Sequence, residues 1–103
     1  MIEQNAIIRD SSIQRFEYTS ELFWTMLKEV LKEEYGVIAL SPKSVIRECV
    51  SQKIFSAENG EIFLSMMNDR NRTSHAYEAS IAEEIEEKLP EYAKQIEEVF
   101  GNL

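Results

Sequence analysis

Cysteine, histidine, glycine and proline are all scarce in this chain, and each scarcity closes off a class of protein. One cysteine, Cys49, leaves no partner for an intramolecular disulfide and no thiolate set for zinc. Its neighbours Ile46 and Val50 read it as a core thiol in a reducing compartment. One histidine, His75, rules out a multi-histidine metal site within one chain. The three glycines, Gly36, Gly60 and Gly101, are too dispersed to cradle a phosphate, so neither a P-loop nor a dinucleotide motif is present. Two prolines, and no alternating apolar–polar runs joined by hairpin turns, give strands no support. No apolar run approaches the roughly 20 residues of a membrane span. The N-terminus lacks the basic region and apolar stretch of a signal peptide, so the expectation is a cytoplasmic protein without membrane contact or bound cofactor.

Positive charge is scarce too. Eleven Lys and Arg stand against 19 Asp and Glu, a net charge of −8, which disfavours binding driven by the nucleic-acid backbone over the whole surface. The imbalance is local, however. From Glu78 onward there are eight acids and two bases, whereas residues 1–77 carry only −2 and hold every arginine. An anion site within that earlier part remains open. The composition, 44% hydrophobic and 29% charged over 103 residues, is that of one folded domain.

What is abundant is apolar residues at helical spacing. Residues 1–10 read as a short N-terminal segment, a helical turn or a frayed end, before a helical domain over 11–103. Ser11 with Gln14 has the spacing of a capping box, and Ile13, Phe16, Phe23, Leu27, Val30 and Leu31 follow on one stripe up to a stop at Gly36. Ser41-Pro42 restarts a helix, with serine as cap and proline at the first turn. That helix buries Val45, Ile46, Cys49 and Val50 and ends near Phe55. A third begins between positions 56 and 59 and displays Ile62, Phe63, Met66 and Met67. The last begins near Ala79, and its stripe of Ile81, Ile85, Leu89, Tyr92, Ile96 and Val99 stays in phase across Pro90, which predicts one kinked helix. Four amphipathic helices with short links predict an all-α, antiparallel up-and-down four-helix bundle. The acids of the last helix read as a solvated face.

One segment concentrates chemistry: Asp69-Arg70-Asn71-Arg72-Thr73-Ser74-His75-Ala76-Tyr77. Phe63, Met67 and Arg70 are spaced four then three, so Arg70 continues an apolar stripe and points to the core or a partner. His75 lies five residues on, about 140° around a helix of 3.6 residues per turn. Arg70 and His75 therefore converge only if the helix breaks between them or a second subunit supplies one of them. Ser74 beside His75 does not make a hydrolase pair, because sequence neighbours rarely meet as nucleophile and base. The plain alternative is a helix end whose arginines cap carbonyls and pair with Asp69 or Glu78.

Arg70-Asn71-Arg72-Thr73-Ser74-His75-Ala76-Tyr77 resembles the Arg-x4-His-x-Tyr signature of the HEPN superfamily, and within it the nucleotidyltransferase substrate-binding protein family. Three further stretches resemble that family's helix motifs in order: Ile13-Gln14-Arg15-Phe16-Glu17-Tyr18-Thr19-Ser20-Glu21-Leu22-Phe23-Trp24, Ser41-Pro42-Lys43-Ser44-Val45-Ile46-Arg47-Glu48, and Gly60-Glu61-Ile62-Phe63 leading into Asp69. The chain departs from the pattern in that only about ten residues precede the first motif, where such proteins carry a further helix. The resemblance implies a helical-bundle homodimer and a partner, a minimal nucleotidyltransferase. It also implies one of two roles. In one the protein is a metal-independent ribonuclease toxin, with RNA as substrate, neutralised when the transferase attaches AMP to Tyr77. In the other it is a non-catalytic accessory subunit that helps the transferase bind its substrate. For the ribonuclease, Arg70 and His75 would be catalytic, with Asn71 and Arg72 binding substrate. A side chain titrating near neutrality serves proton transfer, and a guanidinium holds phosphate by two parallel hydrogen bonds.

Overall fold

A computed structural model describes the backbone of residues 2–75 and 78–102 and the side chains of residues 11–74 and 78–101. Four α-helices, α1 (Ile2–Tyr35), α2 (Pro42–Ser51), α3 (Ala57–Arg72) and α4 (Ala79–Asn102), are joined by short links, with a turn of 3-10 helix at Thr73–His75 after α3. No strand occurs among the described residues. The helices form a bundle about 50 Å long.

The first helix corrects the expected start. It begins at Ile2, so residues 2–10 are continuous with it and Ser11 lies in its interior. The segment before Ser11 holds no glycine or proline, so nothing interrupts the helical hydrogen bonds and the Ser11–Gln14 spacing is not used as a cap. The predicted stop holds. Gly36 adopts φ +67°, and Val37 N–H donates to the Leu31 carbonyl at 3.0 Å, closing the helix end. The capping serine of α2 is as predicted. Ser41 accepts from Ser44 N–H at 3.3 Å, while the Ser44 hydroxyl accepts from Ser41 N–H at 3.1 Å, and Pro42 opens the helix. α2 ends at Ser51, before the expected Phe55, because Lys53 takes a left-handed φ of 61° and turns the chain toward α3. Ser56 caps α3 by accepting from Asn59 N–H at 3.1 Å.

α3 packs against each of the other three helices. It runs antiparallel to α1, with Phe23 against Phe63 (ring centroids 4.6 Å apart) and Glu21 against Arg70. It also runs antiparallel to α4, with Asn59 against Gln95 and Arg72 against Glu84. α1 and α4 consequently run the same way, Phe16 stacking on Tyr92 and Phe23 meeting the edge of Phe100. The predicted stripes supply the core: Phe23, Leu27, Leu31, Val45, Ile46, Phe63, Met66, Met67 and Ile85 are all buried. Each such side chain stabilises the fold by roughly 1.5–3 kcal/mol through loss of water-exposed apolar area. Cys49 is a sealed core thiol, as expected; burial, followed by the nearby Glu48 charge, pushes its pKa up to about 12. α4 passes through Pro90 as one helix, as its unbroken stripe requires.

The α2–α3 hairpin depends on Gly60. A Cβ there would meet Val50 Cγ2 at 2.5 Å, which sets how closely the two helices approach. Gly60→Ala is expected to lower unfolding free energy by about 1–3 kcal/mol, an overpacking penalty read by urea denaturation. Gly101→Ala, which meets nothing within 4 Å, should be neutral or slightly stabilising in the same assay.

Candidate functional site

The last turn of α3 distributes its charged side chains between two neighbours. Consecutive helical residues point about 100° apart, so Asp69 and Arg72, three apart, share the face toward α4 while Arg70 turns toward α1. On α4 the residues Glu84, Lys88 and Tyr92, each four apart, form the matching row.

Asp69 is the buried member, its side chain 3% exposed. Its Oδ2 accepts from the Tyr92 hydroxyl and from Lys88 Nζ at 3.3 Å, and its Oδ1 accepts from Arg72 Nη1 at 3.2 Å. Three donors on one carboxylate are what a charge withdrawn from water requires. The Tyr92 oxygen also lies 3.2 Å from Ser65 Oγ. Burial, then the Asp69 hydrogen bond, raises the Tyr92 phenol well above its ordinary pKa, which keeps the proton on the hydroxyl as a donor.

Arg72 faces outward from the same point. Its guanidinium holds Glu84 with two parallel hydrogen bonds, Nη1 to Oε1 at 3.0 Å and Nη2 to Oε2 at 2.8 Å. Lys88 Nζ lies 4.0 Å from the same Glu84 carboxylate. The Arg72 hydrogen bond and charge hold Glu84 below the usual carboxylate range, and the Glu84 hydrogen bond raises Arg72 in turn.

Arg70 does not enter the core. One third of its side chain is exposed, and Nη2 pairs with Glu21 Oε2 of α1 at 2.9 Å. The same Glu21 oxygen accepts from Trp24 Nε1 at 3.0 Å. Arg70 Nε is buried and meets no hydrogen-bond acceptor among the described residues. Its stripe position thus delivers the guanidinium to the α1–α3 seam, half used.

The helix break needed between Arg70 and His75 is present. Thr73 Oγ1 donates to the Arg70 carbonyl at 2.6 Å and Ser74 Oγ to the Asn71 carbonyl at 3.2 Å, occupying acceptors at the end of α3. The chain then tightens into the 3-10 turn, with His75 its last residue. The His75 side chain and Tyr77 lie outside the described residues, so their approach to Arg70 is not part of this geometry. Asn71 is exposed. The pairing expected for an ordinary helix end is realised at Arg72, with Asp69 as one partner and Glu84 in place of Glu78. Sequence reasoning passed over Glu84, Lys88 and Tyr92. The signal was their shared four-residue spacing on the helix that follows the motif.

Among the described residues, no three His, Cys, Asp or Glu side chains gather as a metal site would need. Nor is any helix long and apolar enough to cross a membrane. A recess of about 200 Å³ lies between α1 and α4, lined by Arg15, Phe16, Thr19, Met66, Leu89 and Tyr92 among others. Tyr92 separates it from the charged cluster.

Two stability consequences follow from this cluster. Asp69→Ala, which leaves Tyr92 and Lys88 without their acceptor, is expected to cost about 2–3 kcal/mol in denaturant unfolding, against about 1 kcal/mol for Tyr92→Phe. The folded-state pKa of Glu84 is depressed, so its pair contributes stability above the unfolded value and loses it as pH falls through the folded one. The melting-temperature gap between wild type and Glu84→Gln should therefore be present at pH 7 and close below pH 4.5, the ordinary value for this carboxyl.

The comparisons with known proteins agree with this architecture. A crystal structure of a protein from Thermus thermophilus is similar at a TM-score of 0.90 and 41% identity, covering 92% of this chain and 80% of that one. No curated protein matches the sequence. Residues 2–103 match the family described as nucleotidyltransferase substrate binding protein like, and the chain belongs to that family.

Proposed function

We propose that this chain is the partner of a minimal nucleotidyltransferase and that it acts as a HEPN-type, metal-independent ribonuclease silenced by AMP attachment at Tyr77. The family supports the partner. The observation that carries the finer reading is Arg70, a guanidinium with one exposed ion pair and a buried Nε that has no acceptor among the described residues. The Glu21 pair is open to water, so a phosphate can compete for the guanidinium, beside a helix end that breaks just before the motif's histidine.

The chemistry needs no cofactor. His75 takes the proton of the RNA 2′-hydroxyl, whose oxygen attacks the adjacent phosphorus. The 5′-oxygen leaves and must be protonated. In a homodimer the second copy of His75 supplies that proton, and Arg70 stabilises the charge on the phosphorane. Asn71, exposed and next to Arg70 in sequence, would orient substrate. AMP joined to the Tyr77 oxygen adds a bulky phosphodiester two residues from His75 and so competes with RNA for the same cations.

The accessory-subunit reading draws on one specific observation: Arg72, assigned to substrate, is already held by Glu84 and Asp69. Intact mass and peptide mapping after co-expression with the neighbouring transferase separate the two. The ribonuclease reading expects AMP on wild-type Tyr77 and none on Tyr77→Phe. Unmodified wild type should cleave RNA, with His75→Ala and Arg70→Ala each slowed by roughly 10²–10⁴-fold. A tight complex with no AMP transferred and no RNA cleaved establishes the accessory role instead.

A further inference from the structure

Where the α3–α4 seam reaches the surface, four charged side chains form a cluster with unequal exposure. The Asp69 side chain is 3% exposed, Arg72 37%, Lys88 40% and Glu84 48%. Asp69 is fixed by three donors on two helices. Among the described residues Glu84 is held by the Arg72 fork and the more distant Lys88. The Arg72–Glu84 fork is bidentate but lies at the surface, where water and other anions compete for it, so it opens at less cost than the buried Asp69 bonds. The buried Asp69 bond keeps Arg72 in position when the exposed one opens.

The charge count defines what replaces Glu84. Asp69, Arg72 and Lys88 together carry +1, and Glu84 brings the cluster to zero. A phosphodiester also carries −1, and two of its oxygens match the guanidinium fork as the carboxylate oxygens do. Exchange of one for the other leaves the charge unchanged. A terminal phosphate at −2 would overload the cluster.

We propose that Arg72 and Lys88 form a backbone subsite for a phosphodiester of single-stranded RNA, on the α4 side of the helix end whose α1 side carries Arg70, with Glu84 its exchangeable resident and Asp69 its fixed anchor. This rests on the ribonuclease reading and adds to it two residues, Lys88 and Glu84, that lie on α4 outside the motif. Glu84 acts as a gate. It keeps the fork filled in the free protein, so weak anions do not occupy it. RNA displaces the carboxylate only when several phosphates engage at once.

The test is binding of a short fluorescent RNA whose riboses carry 2′-O-methyl groups and so resist cleavage, read by anisotropy. The proteins are wild type, Glu84→Gln, Glu84→Gln/Lys88→Met, and Glu97→Gln as an equal change of net charge elsewhere on α4. Thermal melting checks that each is folded, and Glu84→Ala serves if Glu84→Gln is not. Freeing the fork and removing one repelling charge should tighten binding about 5- to 10-fold in Glu84→Gln, and under about 2-fold in Glu97→Gln. Lys88→Met should abolish most of the gain. Equal affinities for Glu84→Gln and Glu97→Gln overturn the subsite. Cleavage of an unmodified RNA by wild type is measured in parallel. A gain in Glu84→Gln without wild-type cleavage leaves the subsite standing and removes the ribonuclease. Cleavage without the gain does the reverse. No binding by any of the proteins overturns both.

Discussion

The structure turns on a carboxylate that has left water. Asp69 sits between α3 and α4 with donors from Arg72 on its own helix and from Lys88 and Tyr92 on the other. A buried charge tolerates little slippage, because a shift of one residue would leave it unpaired at a cost larger than most single contacts can offset. The apolar stripes press the helices together, but apolar contact is not directional. It is the Asp69 bonds, with Asn59–Gln95 further along the seam, that fix which residue of α4 meets which residue of α3. Arg72 and Glu84 then face one another as a consequence of that register.

The same helix end serves both flanks. Arg70 belongs to the α1 seam and Arg72 to the α4 seam, and each is met there by a half-exposed glutamate, Glu21 or Glu84. Two guanidiniums leave one turn toward opposite grooves, each paired with an acid, and concentrate positive charge at one end of a protein whose net charge is negative. The net charge of −8 and a local anion site are therefore compatible. The acids of α4 act over distances that salt screens, while the arginine forks act by contact.

Much of the fold was legible because helix cores and helix stops are written locally. Spacing picked out Leu27, Ile46, Phe63 and Ile85, and Gly36 and Ser41-Pro42 marked the first break through their own backbone preferences. The start of α1 was misplaced because a serine three residues before a glutamine resembles a cap wherever it falls, and only an interruption in the preceding segment would make it one. The site was legible in half. The motif itself stood out by composition. Its partners on α4 did not, since Glu84 and Lys88 look like solvated residues until α3 is laid against them. Tyr92 read as one more apolar stripe position, and from the ring's packing that was right; its hydroxyl is what the pattern could not express.

The sealed thiol of Cys49 carries a consequence of another kind. It lies where α2 packs into the core, fully shielded, and its raised pKa leaves almost no thiolate at neutral pH. With no other cysteine in the sequence, the reaction of this protein with a thiol reagent counts the moments when that helix leaves its place. The chain thus contains its own single-site clock for opening motions, needing no engineered label, and it will report whether a partner that grips the bundle slows its breathing.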